Sequence, residues 1–170
     1  MNPVVKKFLI RSAIIYIVWL VIYHALIIPD GRLNRFLTDR VSEGTAIGLT
    51  WLGYDTDYQV VDGSNMVYID GQAVVLVADE CNGLELFALY AGFILAFPGR
   101  WKFKAIFIPA GIFLIFLINI AREIALSLNY KFFQETFELN HKYTYVFIVY
   151  IFVFLIWRYW LRNYSALVKA

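Results

Sequence analysis

Apolar residues fall in four runs, separated by segments where polar residues recur. The first, Phe8 to Ile28, holds 21 residues; at about 1.5 Å each it predicts a helix of roughly 31 Å, long enough to cross a bilayer core. Pro29-Asp30-Gly31 ends it. The second, Leu84 to Phe97, has 14 residues and covers only about 21 Å. The span it predicts, 82–98, therefore starts early, near Asp79, or lies where the bilayer is thinned. Pro98-Gly99-Arg100-Trp101-Lys102-Phe103-Lys104 is a tight basic turn. The third run, Ala105 to Ala121, predicts a span over 105–123 that Pro109 can kink. Leu128 to His141 is a polar connection, and Tyr143 to Leu161 is the fourth run, predicting a span over 143–161.

The period changes between the first two runs. Leu33, Phe36, Leu37 and Val41 share one face of a helix, with Arg32, Arg35, Asp39 and Arg40 elsewhere, which predicts an amphipathic helix lying on the membrane surface. Thr45 to Leu52 continues it or dips into the interface. Tyr58 to Val61, Met66 to Ile69 and Ala73 to Val77 are β-rich, and Asp62-Gly63 and Asp70-Gly71 between them are strong turn signals. They predict a three-stranded meander that delivers the chain to Cys81. The fold class is thus an all-α polytopic membrane protein, one domain over 1–170. About four transmembrane helices (8–28, 82–98, 105–123, 143–161) carry an extracytoplasmic helix-plus-meander insertion at 29–79 between the first two.

Composition agrees. The chain is 61% hydrophobic and 16% charged, against roughly 45–50% and 25% in soluble domains. A net charge of +2 gives no reason to expect nucleic acid. A single cysteine excludes an intrachain disulfide and a cysteine-based zinc site. No His/Glu/Asp spacing suggests a metal, no glycine-rich phosphate loop and no Gly-x-Ser-x-Gly elbow occurs, and no cofactor is expected. No cleavable signal peptide is evident, because no small-residue cleavage pattern follows the first run. Nine of the fifteen Lys and Arg (Lys6, Lys7, Arg11, Arg100, Lys102, Lys104, Arg158, Arg162 and Lys169) fall in segments without acidic residues. The positive-inside rule places those segments in the cytoplasm, with both termini. Cys81, Arg122 and His141 then share the outer face.

Those three are the candidate chemistry. Cys81 sits where Asp79 or Asn82 can cap the second helix, and Asn82-x-x-Glu85 has the form of a capping box. A thiol at a helix N-terminus feels the positive end of the dipole, which favours thiolate; a lone cysteine there also serves as a small packing residue. Arg122 closes the third run and reads either as an interfacial anchor or as a cation turned inward. Asn119, three residues back, lies on its face, whereas Glu123 projects about 100° away and is expected to be a poor partner. His141 opens the last run; His24, near the outer end of the first, is its rival as a base. Jointly Cys81, Arg122 and His141 supply a nucleophile, a fixed cation and a proton carrier.

At these residues the chain resembles the exosortase/archaeosortase family of membrane cysteine transpeptidases. The resemblance is carried by Glu80-Cys81-Asn82-Gly83-Leu84, by Asn119-Ile120-Ala121-Arg122-Glu123-Ile124 and by His141 ahead of the last run, and covers roughly Ala78 to Trp160. Asn82 stands where the family usually has Ser or Thr, Lys142-Tyr143-Thr144-Tyr145 lacks a glycine often found after the histidine, and many members have about twice as many spans. The resemblance implies a catalytic set of Cys81, Arg122 and His141, supported by Asn82 and Asn119, at the outer or periplasmic side of the cytoplasmic membrane. The implied partners are exported proteins whose C-terminal tails carry a motif, a membrane helix and a basic cluster; an acceptor amine on a lipid or polysaccharide; and membrane lipids. The alternatives are a non-enzymatic membrane assembly or anchor protein that binds through its folded outer segment, and a small transporter, for which the spans offer almost no mid-membrane polar residues.

Overall fold

A computed structural model describes residues 3–164; Lys169, counted above among the basic residues, lies outside them. The helices are α1 (Pro3–Ile22), which continues through a π-helical turn into α2 (Ile28–Asp30), α3 (Arg32–Trp51), α4 (Leu84–Ala96), α5 (Trp101–Phe132), α6 (Gln134–Leu139) and α7 (Tyr145–Tyr164). The segments Val5–Asp30, Trp101–Phe132 and Gln134–Tyr164 are each long and apolar enough to cross a membrane, as a multi-pass membrane protein requires. The second apolar run forms the 13-residue α4.

Two helix boundaries differ from expectation. α5 runs on to Phe132 instead of ending near 123, and the connection expected from Leu128 to His141 is helical on both sides of one break at Phe133, where φ is −143° and ψ 57°. Polar residues there do not make a loop because they find partners: Asn129 Nδ2 donates to Thr136 Oγ1 at 2.9 Å, and Phe133 N–H to Asn129 C=O at 2.7 Å.

The chain forms two compact units. One draws on residues 3–30, 85–115 and 151–164 and is held by rings. Phe8 packs on Phe97 at 4.1 Å, and Phe93 stacks on Trp157 at 4.1 Å. Tyr90 is fully buried and donates to Phe107 C=O at 2.8 Å. Lys104, also buried, donates through Nζ to the carbonyls of Leu95 and Phe97 at 2.9 and 2.6 Å, closing the C-terminus of α4.

The other unit, Gly31–Leu84 with Phe116–Tyr150, holds the meander. Strands β1 (Thr56–Val61), β2 (Ser64–Ile69) and β3 (Gln72–Val77) pair antiparallel in the order β1-β2-β3, with a bulge between Val67 and Tyr68. The pairings Val61↔Ser64 and Ile69↔Gln72 leave two-residue loops, Asp62-Gly63 and Asp70-Gly71. All four loop residues have positive φ, as type I′ hairpin turns require. Val67, Ile69, Val74, Val75 and Val77 form a core with Val41 and Leu49 of α3 and Leu126 of α5.

α3 forms as a helix, but its inner face is not the expected one. Of the four residues predicted to share the apolar face, Val41 is buried while Leu33 and Phe36 are exposed. The buried stripe is Asn34, Thr38, Val41, Ser42, Thr45 and Leu49. Ser42 and Thr45 donate to carbonyls one turn back, at 2.8 Å each, which satisfies their hydroxyls inside the core. Gly44 and Gly48 let α3 approach α5 closely: a Cβ there would stand 2.6 Å from Ile120 Cδ1 and 2.4 Å from Ile124 Cδ1. The spacing Gly-x-x-x-Gly is that of close helix pairs in membranes.

Candidate active site

β3 hands the chain to a short turn of 3-10 helix, Asp79–Cys81, ahead of α4. Its conformation is fixed from two sides. On one, Asn82, 1% exposed, donates through Nδ2 to the carbonyl and Oδ1 of Asn34 at 3.3 and 3.2 Å, and Thr38 donates to Asp79 Oδ1 at 2.9 Å. On the other, buried Asn119 of α5 donates to the Cys81 carbonyl at 2.6 Å. Asn82 Oδ1 also accepts from Leu84 N–H at 2.9 Å and so caps α4. Glu85 is exposed and takes no part, so the expected capping box does not form and a turn closed by the Asn82 side chain stands in its place.

The cysteine sulfur does not favour the thiolate expected from the helix dipole. Burial pushes the Cys81 thiol above its ordinary value, and the nearby Glu123 carboxylate pushes it further. The positive charge of the Arg122 guanidinium works the other way. Desolvation wins, because a thiolate in an apolar pocket loses more hydration than one cation returns when a carboxylate shares the site.

Arg122 is the residue on which the site converges. Its guanidinium acts on Cys81 and lies within electrostatic reach of His141. Glu123, expected to be a poor partner, pairs with it directly, Nη1 to Oε1 at 2.7 Å, and is itself 1% exposed. The reason is the cost of a bare charge at this depth: both long side chains bend toward one another rather than remain unpaired. Among the described residues the buried Nε of Arg122 has no partner. A buried glutamate beside an arginine at the end of an apolar run was a readable signal, and helical projection angle alone concealed it.

His141 lies on the π-helical turn Asn140–Thr144. Its ring stacks on Phe137 at 5.6 Å and 4°, and Phe137 packs edge-on against Tyr130 at 5.2 Å. That aromatic ladder spans the Phe133 break. Cys81 and His141 share no hydrogen bond; Arg122 acts on both. His24, the rival base, is exposed and rests on Tyr23 in the other unit.

The arrangement offers an uncharged sulfur nucleophile, a cation with an unused donor and a half-buried imidazole, which together fit acyl transfer. No curated protein and no solved structure matches the chain. A protein-family model does: residues 7–158 match the one described as transmembrane exosortase.

Proposed function

The chain belongs to the transmembrane exosortase family, a family of cysteine transpeptidases, and on that premise we propose that it cleaves C-terminal sorting tails of exported proteins and transfers the proteins to an acceptor amine. The single observation that supports the assignment of roles is geometric: Asn119, one helical turn before Arg122 on α5, bonds the Cys81 carbonyl at 2.6 Å. Cys81 is the nucleophile. As its sulfur bonds to the substrate carbonyl carbon, the thiol proton passes to the neutral imidazole of His141. Arg122 stabilises the tetrahedral oxyanion; losing one such donor costs about 10²–10³ in rate. His141 then gives its proton to the leaving amine as the C–N bond breaks, and a thioester remains. The acceptor amine attacks the thioester and loses a proton to His141, and the sulfur departs and recovers that proton. Asn119 and Asn82 hold the nucleophile turn in place.

The substrate class is a protein whose tail carries a short motif, a membrane helix and a basic cluster. Four crossings of the cytoplasmic membrane, with α4 the short one and both termini on the cytoplasmic side, agree with the basic residues of the 98–104 turn and the termini. They put the meander unit and Cys81 on the outer side of a single membrane domain. The test is co-expression with a reporter protein bearing such a tail, followed by size on a gel. Wild type is expected to process it and Cys81→Ala to leave it intact; processing that continues with Cys81→Ala would remove the cysteine from the reaction.

A further inference from the structure

Among the described residues Glu123 is the only buried carboxylic acid, and the reaction above does not use it. It holds Arg122 through one donor, Nη1 to Oε1 at 2.7 Å, while Arg122 Nε stays unpaired. A guanidinium has five N–H donors in a fixed fork, so engaging one end sets the direction of the others. An arginine fixed in this way meets an oxyanion without first losing rotamer freedom.

We propose that Glu123 is a positioning residue of this active site: it clamps the Arg122 guanidinium and sets the charge that Cys81 meets before substrate arrives. The inference rests on the transpeptidase reading for its kinetic consequence but not for its electrostatic one. Arg122 and Glu123 act on the thiol with opposite signs, and Asn119, one turn earlier on the same helix, bonds the Cys81 carbonyl at 2.6 Å. A pair that served only to neutralise two charges at the membrane level would leave the cysteine indifferent to either partner.

Cys81 is the sole cysteine, so alkylation of the full chain in membranes by iodoacetamide reports on it alone. Glu123→Gln keeps an oxygen for Nη1 and removes the charge. It is expected to move the pH midpoint of alkylation down and to speed alkylation below that midpoint severalfold, while transpeptidation loses kcat with KM unchanged. An unchanged alkylation midpoint overturns the proposal. Should Glu123→Gln fail to accumulate in the membrane, Arg122→Gln decides: its alkylation at neutral pH must slow severalfold, and an unchanged rate overturns the proposal equally. Alkylation needs no substrate, so a wild type that processes no reporter counts against the transpeptidase reading alone.

Discussion

In the unit built from 3–30, 85–115 and 151–164, the buried positions belong to Tyr90, Ile94, Ala96, Trp160 and their like, and among the described residues the one buried polar side chain outside the tyrosine is Lys104. In the unit built from Gly31–Leu84 and Phe116–Tyr150, buried valines and leucines share the interior with Asn34, Thr38, Asn82, Asn119 and Glu123. Apolar rings between helices need only fit. Buried amides and a carboxylate must each find a partner with the right direction, so they fix orientation as well as distance. The polar interior surrounds the residues assigned to the chemistry, and the ring-packed one contains none of them. Orientation requires buried hydrogen-bonding groups, and they cluster around the turn that carries Cys81.

The contrast breaks most severely at Asn82. Asn82→Ala leaves Asn34 Oδ1 without its donor and Leu84 N–H without its cap, at a combined cost of about 2–4 kcal/mol. It should lower the thermal midpoint and speed alkylation of Cys81 together; a lowered midpoint with unchanged alkylation would mean that the amide braces the unit but does not aim the turn. Gly111→Ala tests the other side. Its Cβ would stand 2.1 Å from the buried Tyr90 ring and hydroxyl, so overpacking of about 1–3 kcal/mol is expected. The thermal midpoint should fall while the pH profile of Cys81 alkylation stays that of wild type; a shifted profile would erase the distinction between the regions.

The smallest effect belongs to Asp70, on the exposed β2–β3 turn. Lys131 at the end of α5 pairs with it and holds its carboxyl below the usual carboxylate range. A lowered folded value means that the stabilisation is present above the unfolded value and is lost as pH falls through the folded one. Asp70→Asn should therefore leave a thermal midpoint near that of wild type at neutral pH, with a weaker decline in acid. A large loss at neutral pH would show that even this rim contact belongs to the oriented interior.

The same contrast explains what could be read from the chain. The apolar runs gave the long helices, since composition alone decides them, and Asp62-Gly63 and Asp70-Gly71 gave both hairpins because few dipeptides reach positive φ at two successive positions. The register of α3 could not be read: hydrophobicity chose Leu33 and Phe36, while tertiary hydrogen bonds turned Asn34 and Thr38 inward, with Ser42 bonded to its own helix beside them. For the same reason α5 outran its predicted end. Gly44-x-x-x-Gly48 was a readable packing signal that hydrophobic periodicity passes over. At the site, Asn119 bonds the Cys81 carbonyl, a contact that its place in the sequence did not specify. The thiol's protonation and the role of Glu123 depend on burial and side-chain bending, which no linear pattern encodes.

The buried ammonium of Lys104 bears on how a chain can turn inside a lipid sheet. Thirteen residues of helix span about 20 Å, some two-thirds of a hydrocarbon layer about 30 Å thick. The last carbonyls of such a helix face oil unless something donates to them, and exposed backbone is what confines most chains to full crossings. Lys104 Nζ, bonded to the carbonyls of Leu95 and Phe97, does the work of interfacial water from within the protein. The chain thus carries its own patch of aqueous boundary to the end of α4, where a helix of this length would otherwise leave its last carbonyls bare.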